Sequence, residues 1–416
     1  MSRKKVELMS PLKNFKSLNA ILDVADAVYF GVESLNMRMY SDNFNLNELN
    51  KITKICHDKG IKAYLTTNVI IYENEFKLLE NILDKAVESE IDAVIVHDIG
   101  AIELIKERGL DFHISTQANI SNSRSAKFYE NLGAKRLILA RELYLQQIKE
   151  IKQKLNVEIE TFVHGAQCTS ISGRCYFSAE ICSSQDYSAN RGKCVQPCRR
   201  SWKVIDEEKN EFLYDGAFFI SAKDLCMIEY IPELIEANID AFKIEGRMRD
   251  PIYVEVVTSC YREAIDAYFD NSYTKEKAKD WLNRLRKVYN KGFSTGFYFG
   301  TPKGSEIAKD IEGNVSDYKK VEIGKVLSYY PEKKAAKILL TSGKLTLNDE
   351  IFIMGTHTDT YLRQKIASIQ IKRKGNLTET SNVTNIDNRI TLGILVDKPV
   401  KKNDKIFKIE QKSSFF

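Results

Sequence analysis

Five of the eight cysteines of this chain lie between residues 168 and 198, and a sixth follows soon after. These six are Cys168, Cys175, Cys182, Cys194, Cys198 and Cys226. In a large chain without an apparent signal peptide, this density indicates metal binding rather than disulfides. Thiolates select iron–sulfur clusters, zinc or Cu(I), and a [4Fe–4S] cluster or a closed zinc site needs four of them. A non-metal role also stays open, because free cysteine is often a small buried hydrophobe.

The spacing of these cysteines differs from that of a common zinc ribbon, which pairs two C-x2-C knuckles. Here Cys168 and Cys175 are separated by six residues, and Cys194 and Cys198 by three. Several cationic side chains accompany the cysteines: Arg174, Arg191, Lys193, Arg199 and Arg200. They could offset the negative charge of a thiolate-bound cluster, or hold phosphates or a carboxylate co-substrate.

The first 300 residues alternate short apolar runs with helix-like segments, which is typical of βα units around a parallel sheet. The eight predicted strands are Val6–Ser10, Ala27–Gly31, Lys62–Asn68, Ala93–His97, His113–Gln117, Arg136–Ala140, Glu160–His164 and Ala241–Glu245. A further apolar run, Phe218–Ala222, is assigned to an insertion after the seventh strand. Eight strands predict an α/β fold, a (β/α)8 TIM-like barrel with a Cys-rich insertion at about residues 165–226. An open, doubly wound sheet is the alternative.

Polar side chains recur where the predicted strands end, and this favours the barrel. They include Asn68, Gln117, Arg141, His164, Glu245 and Arg247. In a barrel these positions converge at the C-terminal mouth, where active sites lie. In an open sheet they would not all meet.

The pattern changes after a linker predicted at residues 301–320. Residues 321–416 contain six short strand-like runs separated by turn residues, without a helix pattern, which predicts a small all-β barrel domain. This segment carries 17 Lys and Arg against 10 Asp and Glu. A basic surface of this kind suits a polyanion, so we expect the domain to contact RNA, although a solvated lysine-rich surface is the plainer explanation.

No run in the sequence approaches the ~18 apolar residues that a membrane span requires, and the N-terminal segment has no apolar stretch typical of a signal peptide. We therefore expect a cytoplasmic protein without a membrane partner.

Several long segments closely resemble the signature blocks of peptidase family U32. In chain order over roughly the first 300 residues, they include HISTQANI, FVHGAQCTSISGRC, NRGKCVQPCR, SAKDLCMIEYIPELIEANIDAFKIEGRMRDP and KGFSTGFYFG. The resemblance implies a [4Fe–4S] enzyme that hydroxylates without oxygen. The chain looks most similar to members that form 5-hydroxyuridine at the tRNA wobble position with prephenate as hydroxyl donor. Its expected partners are thus tRNA and a small dicarboxylate, and no DNA.

The resemblance also suggests which cysteines hold the cluster. Cys168 and Cys175 match the first two ligands, Cys194 the third and Cys226 the fourth. Cys198 stands in an adjacent family position and could replace Cys194. Residues 1–300 would then be the catalytic domain.

The remaining candidates are polar residues of the predicted mouth. Arg38, Arg141 and Arg247, with Lys243 behind them, could bind the carboxylates of a donor, because guanidinium groups suit carboxylates. Asn68, Gln117 and Glu245 could orient the base.

Two other functions remain open. A collagenase-like peptidase would need a thiolate beside a histidine, and His164 is near Cys168 in sequence. A non-catalytic RNA-binding protein would use four cysteines for a structural zinc.

Overall fold

The computed structural model describes residues 5–172, 174–211, 220–308, 313–373, 376–384 and 390–412. The chain divides into two compact units, the first of residues 1–14 and 21–316 and the second of residues 15–20 and 317–416. The later boundary falls inside the predicted linker. Within the described ranges, no helix combines the length and the apolar character that a membrane crossing requires.

The first unit is built on a closed barrel of eight parallel strands, which confirms the predicted (β/α)8 fold. In chain order the strands are β1 (Glu7–Pro11), β2 (Ala27–Phe30), β3 (Lys62–Thr66), β4 (Ala93–Val96), β5 (Phe112–Ile114), β6 (Arg136–Ile138), β7 (Glu158–Gly165) and, after an insertion, β9 (Ala241–Ile244). Each strand pairs with the next, and β9 closes the barrel by pairing with both β7 and β1.

The residues that the structure describes contain ten α-helices, of which all but most of α1 belong to the first unit. They are α1 (Phe15–Ile21), α2 (Leu49–His57), α3 (Phe76–Glu88), α4 (Ile99–Glu107), α5 (Ser123–Asn131), α6 (Leu145–Lys152), α7 (Phe177–Ile181), α8 (Ile231–Glu236), α9 (Pro251–Phe269) and α10 (Lys275–Arg286). α9 starts at a proline, where the missing N–H costs no hydrogen bond, and Asp250 caps it through the Ile252 amide at 2.8 Å. Helices cover the outer face of the barrel and side chains fill its interior, so the strands are almost wholly buried.

The barrel interior contains a buried ion-pair network. Arg136, which is 2% exposed, lies 2.6 Å from Glu7 and 3.3 Å from Glu160. Lys243 contacts the same Glu160 at 2.9 Å. Glu160 has no exposed surface, and the cations that compensate its charge within the described part of the chain are Arg136 and Lys243. Buried charges need such partners, because desolvation is costly.

A short strand in the insertion was not predicted. β8 (Asp224–Cys226) pairs antiparallel with the end of β7 and parallel with β10 (Phe293–Ser294). The predicted strand at Phe218–Ala222 lies partly outside the described residues, and its described part, residues 220–222, contains no strand. The segment Lys291–Gly300 contacts the barrel through the Tyr298 hydroxyl, which donates to the Phe162 carbonyl at 2.7 Å, and through the Phe293 ring beside His164.

The second unit consists of antiparallel strands, as expected for an all-β domain. The strands are β11 (Tyr318–Tyr330), β12 (Ala335–Leu340), β13 (Lys344–Thr346), β14 (Glu350–Met354), β15 (Tyr361–Lys365), β16 (Ile369–Arg373), β17 (Asn376–Glu379), β18 (Asn382–Thr384), β19 (Ile390–Leu395) and β20 (Lys405–Gln411). Eight of them form one sheet, and β13 pairs with β18. Its core includes Ile323, Val326, Ile338 and Ile406.

Candidate functional site

A cavity of about 280 Å³ lies at the C-terminal mouth of the barrel, between the strand ends and the insertion that follows β7. Four cysteines line it: Cys168, Cys175, Cys194 and Cys198. The insertion places them there because it leaves β7 at the mouth and folds back over it. The barrel thus provides the floor and the insertion provides the thiols.

Hydrogen bonds hold the insertion on the mouth. The backbone amide of Cys175 donates to Asn190 Oδ1 at 3.0 Å, and Arg199 donates to the Gln167 carbonyl at 3.0 Å. Arg191 reaches across to the loop after β3, where it binds Glu75 and the Ile70 carbonyl. These contacts fix the backbone on both sides of the cysteines.

Gly192 allows the insertion to approach the loop after β2. Its φ is +76°, and a Cβ at this position would lie 2.1 Å from the Asn36 carbonyl oxygen. The Gly192 carbonyl also accepts from the Met39 amide at 3.1 Å. Only glycine combines this conformation with so close a backbone contact.

The four lining cysteines are free thiols with the donor chemistry of a cluster site. Burial raises the pKa of Cys194, and the neighbouring thiols Cys198, Cys168 and Cys175 raise it further. Bound iron would reverse this effect, because a metal favours the thiolate. Among the residues that the structure describes, however, no three His, Cys, Asp or Glu side chains converge closely enough to bind one metal ion. The number and chemistry of the four thiols fit a cluster, whereas their spacing in this structure does not form a single-ion site.

Cys226 is placed differently from the other predicted ligands. It lies on β8, is 7% exposed, and does not line the cavity. Its sulfur is 4.0 Å from the hydroxyl of Tyr261, and burial raises the pKa of its thiol to about 12. The structure thus brings together Cys168, Cys175 and Cys194 with Cys198, and it does not bring Cys226 to the cavity.

An arginine–carboxylate group lines the same cavity as the thiols. Arg38 contacts Glu245 at 3.1 Å through Nη2. Burial tends to raise the pKa of Glu245, but Arg38 and Arg141 outweigh it and hold the pKa below its usual value. Arg141 lies over the Phe162 ring at 4.0 Å and donates to the Ala166 carbonyl, while its buried Nε has no partner. This nitrogen is a donor available to a ligand.

Positive charge dominates the cavity. Its charged lining residues among the described residues are Arg38, Arg141, Arg174, Arg199, Arg249 and Glu245. Five guanidinium groups thus face a single carboxylate. An anionic ligand would compensate the excess, and carboxylate or phosphate groups match the guanidinium fork.

A smaller cavity of about 50 Å³ continues into the barrel and is lined by the other predicted mouth residues. Asn68 donates to Ser115 at 3.0 Å, and the buried Oε1 of Gln117 has no partner. Lys243 lies 4.1 Å from the Tyr29 ring centroid, in addition to its ion pair with Glu160. Seven predicted residues thus line one or both cavities: Arg38, Asn68, Gln117, Arg141, Lys243, Glu245 and Arg247.

Arg247 has a supporting position within this group. It is 3% exposed and donates to Asn36 at 3.1 Å and to Thr66 at 3.3 Å. It also donates to Asn43. These contacts hold the loop that carries Arg38, and only its Nε remains unpartnered and buried.

His164 does not belong to the site. It is 1% exposed and is surrounded by the rings of Tyr253, Tyr261 and Phe293. Its Nδ1 is 3.3 Å from the Tyr261 hydroxyl, and burial lowers its pKa to about 3. The imidazole is therefore neutral in the folded protein and turned away from both cavities.

The pKa of His164 predicts a loss of stability in mild acid. Below the ordinary pKa of 6.5 the unfolded chain binds a proton that folded His164 does not bind until about pH 3. The unfolding free energy should therefore fall by up to about 1.4 kcal/mol per pH unit from this group between these values. Urea unfolding of wild type and His164→Phe at pH 7 and pH 5 measures this change in unfolding free energy. The variant should lose less stability on acidification, and an equal loss would contradict the assignment.

Arg249 and Tyr40 also line the larger cavity and were not predicted. Glu245, Arg247 and Arg249 are charged residues at every second position, and this pattern could have identified Arg249 as a further residue of the mouth. Tyr40 lies in a loop, where the sequence carries no such signal.

Comparison with known proteins identifies relatives of this chain. A model of peptidase family U32 matches residues 13–308. The chain is 43% identical to an uncharacterized protease of Methanocaldococcus jannaschii over 98% of both chains. It is 36% identical to a collagenase of Porphyromonas gingivalis, again over 98% of both. It is 37% identical to tRNA hydroxylation protein P1 of Bacillus subtilis over 72% of each chain.

Proposed function

The chain belongs to peptidase family U32, and from that premise we propose that it is an oxygen-independent RNA hydroxylase. The proposed product is 5-hydroxyuridine at the tRNA wobble position. The proposed cofactor is a [4Fe–4S] cluster, and prephenate is the proposed hydroxyl donor. The observation that carries this proposal is one cavity lined by four thiols and five guanidinium groups at a barrel mouth. We expect the protein in the cytoplasm.

The cluster would be held by Cys168, Cys175 and Cys194, with a fourth thiol from Cys198 or Cys226. The family resemblance suggests Cys226, whereas the lining of the cavity favours Cys198. When bound, a [4Fe–4S] cluster would supply one-electron redox chemistry beside the reacting base. Matched Cys198→Ser and Cys226→Ser variants separate the two assignments by their iron content.

The arginines would bind and orient the donor. Prephenate carries two carboxylates, and the excess of guanidinium groups over Glu245 suits a dianion. Arg141 has a free buried Nε for this purpose. Glu245 keeps Arg38 in place through the 3.1 Å ion pair.

The floor of the mouth would position the uracil. The Oε1 of Gln117 is buried and unpartnered, so it can accept a hydrogen bond from the base. Asn68 is held by Ser115 and by the Met37 amide, which fixes its orientation. The target nucleotide would have to leave its stack to reach this floor.

A peptidase is the second candidate, and the collagenase relative is the observation that favours it. A cysteine peptidase needs a thiolate activated by a nearby histidine. His164, the histidine nearest in sequence to Cys168, contacts Tyr261 instead and stays neutral. The structural-zinc alternative does not account for the arginine-rich wall. The geometry therefore supports hydroxylation best.

The proposal is tested by nucleoside analysis. Anaerobically purified protein, reconstituted with iron and sulfide, is incubated with an unmodified tRNA transcript and prephenate, and the digested RNA is examined by mass spectrometry. We expect uridine with one additional oxygen, dependent on prephenate and independent of air. Unchanged RNA together with cleavage of gelatin would establish the peptidase instead.

The basic second unit should strengthen RNA binding. Lys320 and Lys325 are exposed on β11, and Lys320 lies 4.9 Å from the ring centroid of Phe407. Replacing both lysines with glutamine should weaken tRNA binding most at low salt, and should reduce the slope of log Kd against log salt by up to about 2. Fluorescence anisotropy across a salt series measures this.

The matched control removes two exposed lysines from helix α2 of the barrel, Lys51 and Lys54. This variant loses the same charge, and its salt slope should stay close to that of wild type. Equal effects of the two variants would show a non-specific charge effect and no RNA surface on β11.

A further inference from the structure

Two tyrosine rings are exposed at the edge of the larger cavity. Tyr40 lines the cavity and is 48% exposed, and Tyr187 is 39% exposed. Their ring centroids are 6.4 Å apart, with planes at 44°. The Tyr40 hydroxyl donates to the Asp186 carbonyl at 3.0 Å, which fixes one ring beside the other. The pair is thus ordered by its contacts while both residues remain exposed to solvent.

Apolar and cationic side chains line the same cavity. Ile171 and Met248 line the cavity and are 53% and 45% exposed. Arg174 and Arg249 also line the cavity. Arg249 directly follows Met248 in the sequence, and Arg174 comes three residues after Ile171. Water-facing apolar groups grouped beside a ligand cavity mark an interaction surface. Their mixture with arginines indicates a partner with both flat apolar faces and negative charge.

We infer that Tyr40 and Tyr187 form a stacking platform for the unpaired bases that flank the target nucleotide. This inference rests on the proposed function and names its substrate class, RNA presented as a single strand or an open loop. Every base offers a π-face to an aromatic ring, whatever its sequence. The neighbouring arginines can bind the phosphates between the stacked bases.

The platform would discriminate against duplex RNA. In an A-form helix the base faces are covered by their neighbours, and only edges and backbone are accessible. A duplex could therefore meet the arginines of the rim but not the two ring faces. Preference for unpaired RNA should accordingly depend on the rings, while the salt dependence of binding should depend on the arginines.

A peptide is the other macromolecule that an aromatic surface can accept. Charge favours RNA, because the cavity wall presents five arginines against Glu245. An RNA strand supplies one negative charge per nucleotide, whereas a peptide of mixed composition offers no comparable complement.

The experiment compares Tyr40→Leu with Tyr40→Phe in the full-length, iron-loaded protein. Leucine removes the ring, whereas phenylalanine keeps it and loses only the bond to the Asp186 carbonyl. The probes are a short fluorescein-labelled oligouridylate and an RNA duplex with the same number of phosphates. Tyr40→Leu should weaken binding of the single strand about 5- to 150-fold, the range for one stacked base. Tyr40→Phe should stay within about two-fold of wild type, and duplex binding should not change.

Equal losses for strand and duplex, or equal losses in the two variants, would overturn the platform. The platform would also be overturned if the protein bound a proline- and glycine-rich peptide in a Tyr40-dependent manner and did not bind RNA. Failure of the proposed function looks different: wild type itself would leave RNA unhydroxylated. If wild type hydroxylates RNA and Tyr40→Leu binds the oligouridylate normally, only the platform is refuted.

Discussion

Cys194→Ser should prevent the proposed iron–sulfur cluster from assembling and abolish the proposed hydroxylation of RNA. Cys194 lies in the cavity with Cys168, Cys175 and Cys198, and burial, followed by the proximity of these sulfurs, raises the pKa of its thiol. A serine hydroxyl is a harder and far more basic donor that does not replace thiolate at iron. Iron and sulfide per chain should fall to background, and so should oxidised uridine in the nucleoside assay.

Cys182→Ser is the matched control for this variant. Cys182 belongs to the same insertion and is also partly buried, but it does not line the cavity. Its replacement should leave iron content and hydroxylation at the level of wild type. Full iron content in Cys194→Ser would exclude Cys194 as a ligand. Loss of iron in both variants would point to a general disturbance of the insertion.

Glu160→Gln should lower the unfolding free energy by about 3–5 kcal/mol, the usual effect of breaking a buried ion pair. Glu160 has no exposed surface and contacts Arg136 at 3.3 Å and Lys243 at 2.9 Å. The neutral amide would leave Lys243 charged in the barrel interior without a counter-ion at this distance. Because Lys243 also lines the inner cavity, we expect hydroxylation to decline as well.

Glu158→Gln provides the comparison for the stability effect. Glu158 contacts the same Arg136 at 2.7 Å, but its side chain is 31% exposed. Solvent can compensate its loss, so the unfolding free energy should change by less than about 1 kcal/mol. Chemical denaturation of the three proteins at one pH gives the values. Similar losses in the two variants would show that burial does not set the strength of this network.

The barrel could be predicted from the sequence because its strands are short apolar runs with polar ends. Parallel strands of a closed barrel must bring those ends to one mouth, so Asn68, Gln117, Arg141 and Glu245 could be grouped without a structure. The strands of the insertion were harder to predict. β8 spans three residues, Asp224–Cys226, and so short a segment carries no periodicity.

His164 shows why position along a strand does not settle the direction of a side chain. The pairing of β7 with β9 shifts between Phe162 and His164, and this irregularity changes which face the later residue occupies. Phe162 therefore lines the inner cavity, while His164 packs against Tyr261. Such a shift depends on the partner strand and leaves no mark in the local sequence.

The role of Cys226 as a ligand stays a prediction, which rests on its place in a family motif. Its environment is set by β7 and Tyr261, which are distant in sequence, so its position relative to the cavity could not be predicted. The cavity instead contains Cys198, whose spacing of four from Cys194 already placed it near the other thiols.

The most direct test of the account is the metal content of protein purified without oxygen. We predict a brown protein with broad visible absorption and about four iron and four sulfide per chain, the stoichiometry of one [4Fe–4S] cluster. A colourless protein that contains zinc, or that fails to take up iron and sulfide under anaerobic reconstitution, would contradict the account. The cysteines would then have a structural role, and the arginine-rich mouth would need another chemistry.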